Sequence, residues 1–377
     1  MNKKKKVVLI ISFLLLLILY ASYDYIINKP ITGKVININS GKVKTKSKAK
    51  KNSSKLNQHQ LSVKITSGDH KGDIVKVDNI VNDKTFDEYM VEKGSNVLLN
   101  IEENDNGTIK RAYIYEIIRY KSLYILIFSF ILLLGILAGD KGLKSILALF
   151  VTGFVILKVL IPLIIKGYNP IYVSTILCIA ISTISLIVIS GKNRKTLAAI
   201  IGTCSGLLIA ALIAITFSYK LKLTGFTDEQ LQMLVYISQD KNFNFRGLLF
   251  SGILMGALGA VMDISMSIAS SVSEIKEKKP DISTSELIKS AMKIGQDIMG
   301  TMANTLILAY VGGNLYNLIL IQSYNLPLYR TLDQDIVAVE ILNSLAGSLG
   351  LLFTVPITAV TAALLLNRTK KQLRIEN

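Results

Sequence analysis

The sequence LLFSGILMGALGAVMDISMSIASS, residues 248–271, carries a single ionisable side chain, Asp263. The hydrocarbon core of a bilayer is about 30 Å thick and is crossed by roughly 20 residues of α-helix. This stretch therefore predicts a transmembrane helix. The whole chain agrees with that prediction, because 51% of its 377 residues are hydrophobic, which is too apolar for a soluble protein of several domains.

Eight stretches in all are long and apolar enough to be spans. They cover residues 7–27, 123–138, 145–165, 171–190, 197–219, 248–271, 300–321 and 336–366. The predicted fold class is an α-helical polytopic membrane protein of about eight transmembrane helices, with a small extracytoplasmic all-β domain. Residues 121–368 form the seven-helix membrane domain of this scheme, and residues 369–377 form a cytoplasmic tail.

Lysine and arginine flank the spans in a pattern that indicates their orientation. Residues 3–6 are all lysine and precede the first span, so the positive-inside rule places the N-terminus in the cytoplasm. Alternation then places the basic segments around Lys144, Arg194, Lys278 and Lys370, with the C-terminus, on the same side. The expected location is the cytoplasmic membrane of a bacterium. The net charge of +17 follows from this arrangement and needs no nucleic acid as a partner.

Residues 1–29 are predicted to be an N-terminal transmembrane anchor. A cleaved signal peptide is the alternative, because it shares the lysine-rich start and the apolar core. The lack of a clear Ala-x-Ala site favours the anchor. Cleavage would leave seven spans without changing the orientation of the others.

Residues 30–120 alternate apolar and polar side chains in short runs that are typical of β-strands. The runs cover residues 31–38, 61–66, 73–78, 96–103 and 108–117, and the turn-like sequences SGDHKGD, EKGS and ENDNGT separate several of them. Five short strands predict a small antiparallel barrel, OB-like in form, outside the cytoplasm. The Lys/Ser-rich basic loop 42–56 is either a solvated loop or a contact for anionic cell-wall polymer or lipid headgroups.

Span six carries a stripe of small and polar residues. Gly252, Gly256, Gly259, Asp263 and Ser267 recur at steps of three or four, which places them on one face of the helix. Glycines allow another helix to approach closely, and a charged aspartate in lipid costs about 3 kcal/mol or more. This face is therefore predicted to point into the helix bundle.

Span seven begins with a second stripe, formed by Asp297, Thr301 and Asn304. Together with Asp263 and Ser267 it makes the predicted proton, ion or substrate site, because carboxylates with neighbouring oxygens exchange protons or bind hard cations. The identity of any metal is left open. The alternative is structural, with Asp297 capping a helix and Asp263 hydrogen-bonded between helices.

Two further charges lie inside predicted spans, Lys158 in span three and Glu340 in span eight. They either pair, as a gating or structural contact, or reach separately toward the membrane interface. Spans five and eight also carry glycines that favour close helix packing, namely Gly202, Gly206, Gly347 and Gly350. These glycines predict a compact bundle.

Residues 272–298, between spans six and seven, are predicted to be a cytoplasmic amphipathic segment. Apolar residues from Ile282 to Ile294 alternate with charged ones after Asp281-Ile-Ser-Thr-Ser, which is a typical helix start. The segment is expected to lie on the inner membrane surface as an interfacial anchor, or to gate Asp297.

Four stretches of the chain resemble the YibE/F-like family of multi-pass membrane proteins. They read GDKGLKS, PLIIKGYNP, GILMGALGAVMDISMSIASSVSE and GQDIMGTMANTLILAYVGGN, and they lie within residues 120–366. The resemblance implies the topology argued above and places Asp263 and Asp297 in the most characteristic segments. It also implies a transporter or permease without a known substrate.

Different functions fit such a chain to different degrees. A secondary transporter or permease that uses Asp263 and Asp297 is the main expectation, and a non-transporting scaffold or envelope sensor, binding a partner through its outer domain, is the alternative. An enzyme is not expected, because GxxxxGK[ST], HExxH and GxSxG patterns are absent and Leu137-Ala-Gly-Asp140 only half matches an aspartyl-protease motif. No cofactor is expected. The expected partners are the lipid bilayer and either a second copy or a related membrane subunit.

Overall fold

The computed structural model describes residues 30–41, 57–81, 91–104, 106–225 and 244–373. The predicted first span and the basic loop 42–56 lie outside the described residues. The chain divides into two compact units between Leu134 and Gly135. The first contains the β-strands, and the second contains most of the helical part.

The first unit is built on one antiparallel sheet of five strands, as predicted. The strands are β1 Ile31–Gly41, β2 Asn57–Ile65, β3 Ile74–Val81, β4 Asn96–Glu103 and β5 Ile109–Ile117. Their order in the sheet is β3-β2-β1-β4-β5, so β1 pairs with both β2 and β4. The outer strands β3 and β5 also approach each other, so the sheet is curled.

Alternation of apolar and polar side chains explains the inner face of this sheet. Val63, Val77 and Val97 are fully buried on three different strands and form the centre of its core. At one end of the sheet, His70 Nε2 lies 3.0 Å from Glu103 Oε1, which ties the β2–β3 turn to the end of β4. His70 is therefore only partly exposed, although it lies in a turn.

The remaining described elements are helical. They are α1 Tyr120–Val155, a π-helical turn Ile156–Leu160, α2 Ile161–Ile165, α3 Pro170–Ser190, α4 Arg194–Lys220, α5 Phe245–Lys278, α6 Thr284–Gly313, α7 Leu315–Ser323, α8 Leu328–Leu332 and α9 Asp335–Leu373. Within the described ranges, five helical stretches are long and apolar enough to cross a membrane, or six if α6 and α7 count as one bent span. The predicted spans 123–138 and 145–165 fall in one such stretch, interrupted at Gly139, where φ is 54° and ψ is −132°.

Side-chain caps fix where four of these helices begin. Asn169, Asn193 and Asn244 accept hydrogen bonds from backbone N–H groups in the first turns of α3, α4 and α5. Ser283 and Glu286 form a reciprocal capping box at the start of α6. Such caps satisfy N–H groups that have no partner inside the helix, so the polar residues before each apolar run determine the boundary.

The predicted amphipathic segment 272–298 is divided between the end of α5 and the start of α6. Its apolar residues Leu287 and Ala291 are fully buried in the helical core. The segment therefore packs its apolar face against protein, where the sequence had favoured a membrane surface. From there α6 continues to Gly313 and then bends by 63° into α7.

Two helices, α4 and α9, pack closely along a seam of small residues. A Cβ on Gly206 would lie 2.9 Å from Val261 Cγ1 and 3.0 Å from the Gly350 carbonyl oxygen, and closer still to the Thr354 hydroxyl. A Cβ on Gly350 would lie 2.7 Å from Ala210 Cβ. The seam therefore runs antiparallel, and it consists of Gly202, Gly206 and Ala210 of α4 with Gly350, Thr354 and Thr358 of α9.

Replacement of Gly206 by alanine is expected to lower the free energy of unfolding of the helical unit by about 1–3 kcal/mol, because a backbone oxygen and two branched side chains block the added methyl. Gly252→Ala is the matched control, since no other part of the described chain lies within 4 Å of its Cβ position. Alanine there should leave stability unchanged or raise it by up to about 1 kcal/mol. Thermal unfolding of the detergent-purified protein measures both. Equal effects of the two substitutions would contradict the seam.

Replacement of Leu61 by alanine is expected to destabilise the sheet by about 2–5 kcal/mol, because this side chain is 2% exposed in its core. Ile74→Ala, at a position 65% exposed, should have little effect. Hydrogen exchange of the β1 and β2 amides in the full chain reports the stability of this unit separately from the helices. Similar protection in both variants would count against the observed core.

Candidate functional site

The polar stripe of α5 lies on an exposed face. Gly252, Gly256, Gly259, Asp263 and Ser267 are all exposed. The opposite side of α5 carries Val261, Ile264 and Ile268, which are at most 1% exposed. The close approach of another helix occurs at Gly256, whereas Gly252 and Gly259 have open space around their Cβ positions as far as the described residues extend.

The polar stripe of α6 is exposed as well. Asp297, Thr301 and Asn304 lie on its outward side, and the Thr301 hydroxyl donates to the Ile298 carbonyl oxygen at 2.9 Å. At 3.6 residues per turn, Asp297 lies about 140° around α6 from Tyr310, the residue that meets the glycine face of α5. Asp297 therefore points away from the face that holds Asp263.

Lys158 and Glu340 lie in different surroundings. Lys158 is exposed on the π-helical turn, and Glu340 is partly buried near the start of α9. The pairing of these two side chains stays a prediction.

The small and polar residues that recur at helical spacing along α9 face into the bundle, and they are Glu340, Asn343, Gly347, Gly350 and Thr354. A Cβ on Gly347 would lie 3.0 Å from Leu306 Cδ2 and 3.4 Å from Ala257 Cβ, so α9 touches both α6 and α5 at this level. Gly350 and Thr354, on the same side, belong to the seam with α4. Polar side chains on this face are thus held between helices.

Three buried polar groups lie on α6 and α9 in the region where α5, α6 and α9 come together. The Tyr310 hydroxyl occupies the place that a side chain at Gly256 would take, with Tyr310 Cζ 2.9 Å from that Cβ position. Tyr310 also lies close enough to Glu340 to interact with it electrostatically. Asn343 is three residues after Glu340, on the same side of α9. We call Gly256, Tyr310, Glu340 and Asn343 the three-helix site.

The polar atoms of this site are withdrawn from solvent. Tyr310 Oη, Glu340 Oε2 and Asn343 Oδ1 have essentially no accessible surface. Tyr310 Oη and Asn343 Oδ1 have no hydrogen-bond partner within the described ranges. A buried polar atom left without a partner costs about 1–3 kcal/mol, so the fold carries a cost at this site.

A tightly packed layer closes one side of the site. Leu306 precedes Tyr310 by one helical turn and Gly347 follows Asn343 by one turn, and these two residues meet Ala257, the neighbour of Gly256. On the other side α6 ends at Gly313, and the Asn314 amide donates to the Tyr310 carbonyl oxygen at 3.1 Å. The site therefore lies between a packed layer and a helix break.

Tyr310 is the residue that sequence reasoning missed. It sits in an apolar run, where a tyrosine is most simply explained as part of the core. A signal was nevertheless present, because Tyr310 comes two residues before Gly312-Gly313-Asn314, a sequence that favours a helix end. Its position over Gly256 depends on helix packing, which the spacing of either stripe does not specify.

Comparison with known proteins matches both parts of the chain to one family. No curated protein and no solved structure matches the chain. The model of the YibE/F family N-terminal domain matches residues 25–117, which include all five strands. The model of the YibE/F-like protein matches residues 126–368, which include the three-helix site. The chain therefore belongs to the YibE/F-like family.

Proposed function

We propose that the chain is an integral protein of the bacterial cytoplasmic membrane, with about eight spans, both termini in the cytoplasm and an OB-like barrel outside. Long apolar helices with exposed large side chains support the membrane placement, for example Leu137 at 83% and Leu212 at 66% exposure. The strand order and curl of the sheet are those of a small Greek-key barrel, which supports the OB-like assignment.

We further propose that the protein is a secondary transporter or permease whose coupling charge is Glu340. The observation that carries this proposal is the burial of Glu340 Oε2 beside Tyr310 and Asn343 at the junction of three helices. Ionisable groups placed inside a helix bundle at membrane depth are costly and mark proton or ion paths. Asp263 and Asp297, on exposed faces of two helices, are assigned no coupling role in this proposal.

The break between α6 and α7 fits the same function. Discontinuous helices commonly border the substrate and ion sites of secondary transporters, because a helix end supplies backbone groups that a continuous helix cannot. Here the bend of 63° follows one turn after Tyr310. The break therefore places a helix end and its backbone groups within one turn of Tyr310.

Glu340→Gln is expected to slow transport at least about tenfold, because it removes the charge while keeping the size of the side chain. The protein is reconstituted in vesicles with a trapped pH dye, and an imposed pH gradient is followed after addition of alkali and divalent chlorides, amino acids or sugars. Asp297→Asn, on an exposed face, is the matched control and should behave like wild type. Wild-type rates in Glu340→Gln would remove the support for this function.

Gly256→Ala is also expected to reduce this flux strongly, because the added methyl takes the place of the Tyr310 hydroxyl. Gly259→Ala changes the same face of α5 in open space and should leave the flux unchanged. The vesicle assay compares the two variants at equal amounts of folded protein. Transport that survives Gly256→Ala but fails in Gly259→Ala would place the function on the exposed face and away from Tyr310.

A further inference from the structure

We propose that one end of the β-sheet rests on the outer surface of the bilayer, where exposed isoleucines, a tyrosine and two lysines contact phospholipid headgroups. We call this surface the α1-side end, and its residues are Lys34, Ile36, Ile38, Lys64, Ile74 and Tyr115. The inference rests on the proposed membrane placement and is independent of the three-helix site. Its basis is the way in which the strands are joined to α1.

The sheet continues into α1 almost directly. Two residues separate the end of β5 from the start of the helix. The Ile118 amide donates to the Asn96 carbonyl oxygen of β4 at 2.8 Å. The Leu123 amide then donates to the Arg119 carbonyl oxygen at 3.1 Å. Because backbone hydrogen bonds continue through this junction, the end of the sheet at Asn96 lies beside the start of α1.

The directions of the strands place further residues on the same side. Because β1 pairs antiparallel with β4, and β4 pairs antiparallel with β5, β1 runs in the same direction as β5. Lys34 of β1 pairs with Asn96, the first residue of β4. From there β1 continues to Gly41, so Ile36 and Ile38 extend toward the side on which α1 begins.

A row of exposed residues crosses the sheet at the level of Asn96. Lys34 pairs with Lys64 of β2, and Lys64 pairs with Ile74 of β3. All three side chains are exposed, and Ile74 is 65% exposed. Two lysines and an isoleucine therefore lie side by side at the level where the chain leaves the sheet for the helix.

Tyr115 adds an aromatic side chain to this end. Its two neighbours in β5 pair with successive residues of β4, so Tyr115 is the extra residue of a bulge. The side chain is 74% exposed, five residues before α1 begins. Tyrosine suits a membrane interface because its ring is apolar and its hydroxyl is polar. Tyr120 and Tyr124 continue the aromatic surface into α1, with ring centroids 5.8 Å apart.

A phospholipid surface fits this combination of side chains. Exposed apolar side chains that lie together mark a contact surface, and here Ile36 and Ile38 are 38% and 37% exposed. Lysines at a membrane surface meet headgroup phosphates while their stems stay against apolar groups. At the opposite end of the described sheet, the polar side chains of His70, Asp73 and Glu103 lie together instead. The bilayer that α1 enters is thus the partner that the chain itself brings to the α1-side end.

The test uses tryptophan fluorescence, because the chain contains no tryptophan of its own. Full-length Ile38→Trp and Tyr115→Trp variants are reconstituted in nanodiscs of phosphatidylglycerol and phosphatidylcholine, with and without bromine on the acyl chains. Bromine is expected to reduce the emission of both about twofold or more, since interfacial side chains enter the headgroup and acyl boundary by about 5–10 Å. Lys71→Trp is the matched control, in the exposed turn that His70 ties to the far end of β4, and its emission should not change.

Leu126→Trp, at a position 64% exposed on α1, tests the membrane placement itself. Quenching of Leu126→Trp without quenching at either sheet position would overturn the inference and keep the placement. Absence of quenching in all variants would overturn both. Quenching of Lys71→Trp equal to that of Ile38→Trp would also overturn the inference, because lipid contact would not be confined to the α1-side end. Shielding of Ile38→Trp from aqueous iodide without lipid quenching would overturn it as well, since a second copy or another protein would then cover this end.

Discussion

Close packing of α9 against its neighbours is the constraint on which the rest of the helical unit depends. Its small residues let α4 approach until the Thr358 hydroxyl lies over Gly202, and no Cβ fits between them. Such a close approach brings the two helix backbones into contact. Van der Waals packing of this kind is a main source of helix association in a membrane, where there is no hydrophobic driving force between helices. Because α9 also packs against α5 and α6, its rotation about its own axis is fixed. Glu340 and Asn343 are thereby held inside.

The three-helix site follows from that rotation. Gly347 sets the distance from α9 to α5 and α6, and one turn away the same faces bring Tyr310 to Gly256. Residue 256 must be small for the phenol to enter, and residue 310 must be long to reach across. Gly256 and Tyr310 therefore act as one unit. The Tyr310 hydroxyl lies near the Glu340 carboxylate because apolar and glycine contacts in the adjacent layer hold α6 and α9 in place.

Much of the architecture was predictable, because periodicity and helix caps are local properties. The five strands follow from alternation, and the helix start predicted at Asp281-Ile-Ser-Thr-Ser is the capped start of α6 at Ser283. The direction in which a polar stripe faces is not local. The stripes of α5, α6 and α9 look alike in sequence, yet the first two are exposed and the third is packed between helices. Only the partner of each helix decides this, so Tyr310 could not be found from spacing alone.

The proposed membrane placement has an energetic consequence for the exposed polar stripes of α5 and α6. Asp263 on an outward face would cost about 3 kcal/mol or more if it met lipid as a charge. Gly252 and Gly259 lie on the same face and have no side chains, so this face of the helix is smooth and open in the described part of the chain. Contact of this face with protein or with water would remove that cost. Glycines allow another helix to approach closely, which favours contact with protein over contact with water. With the proposed membrane placement, a second copy or a related subunit is therefore expected at the side of α5.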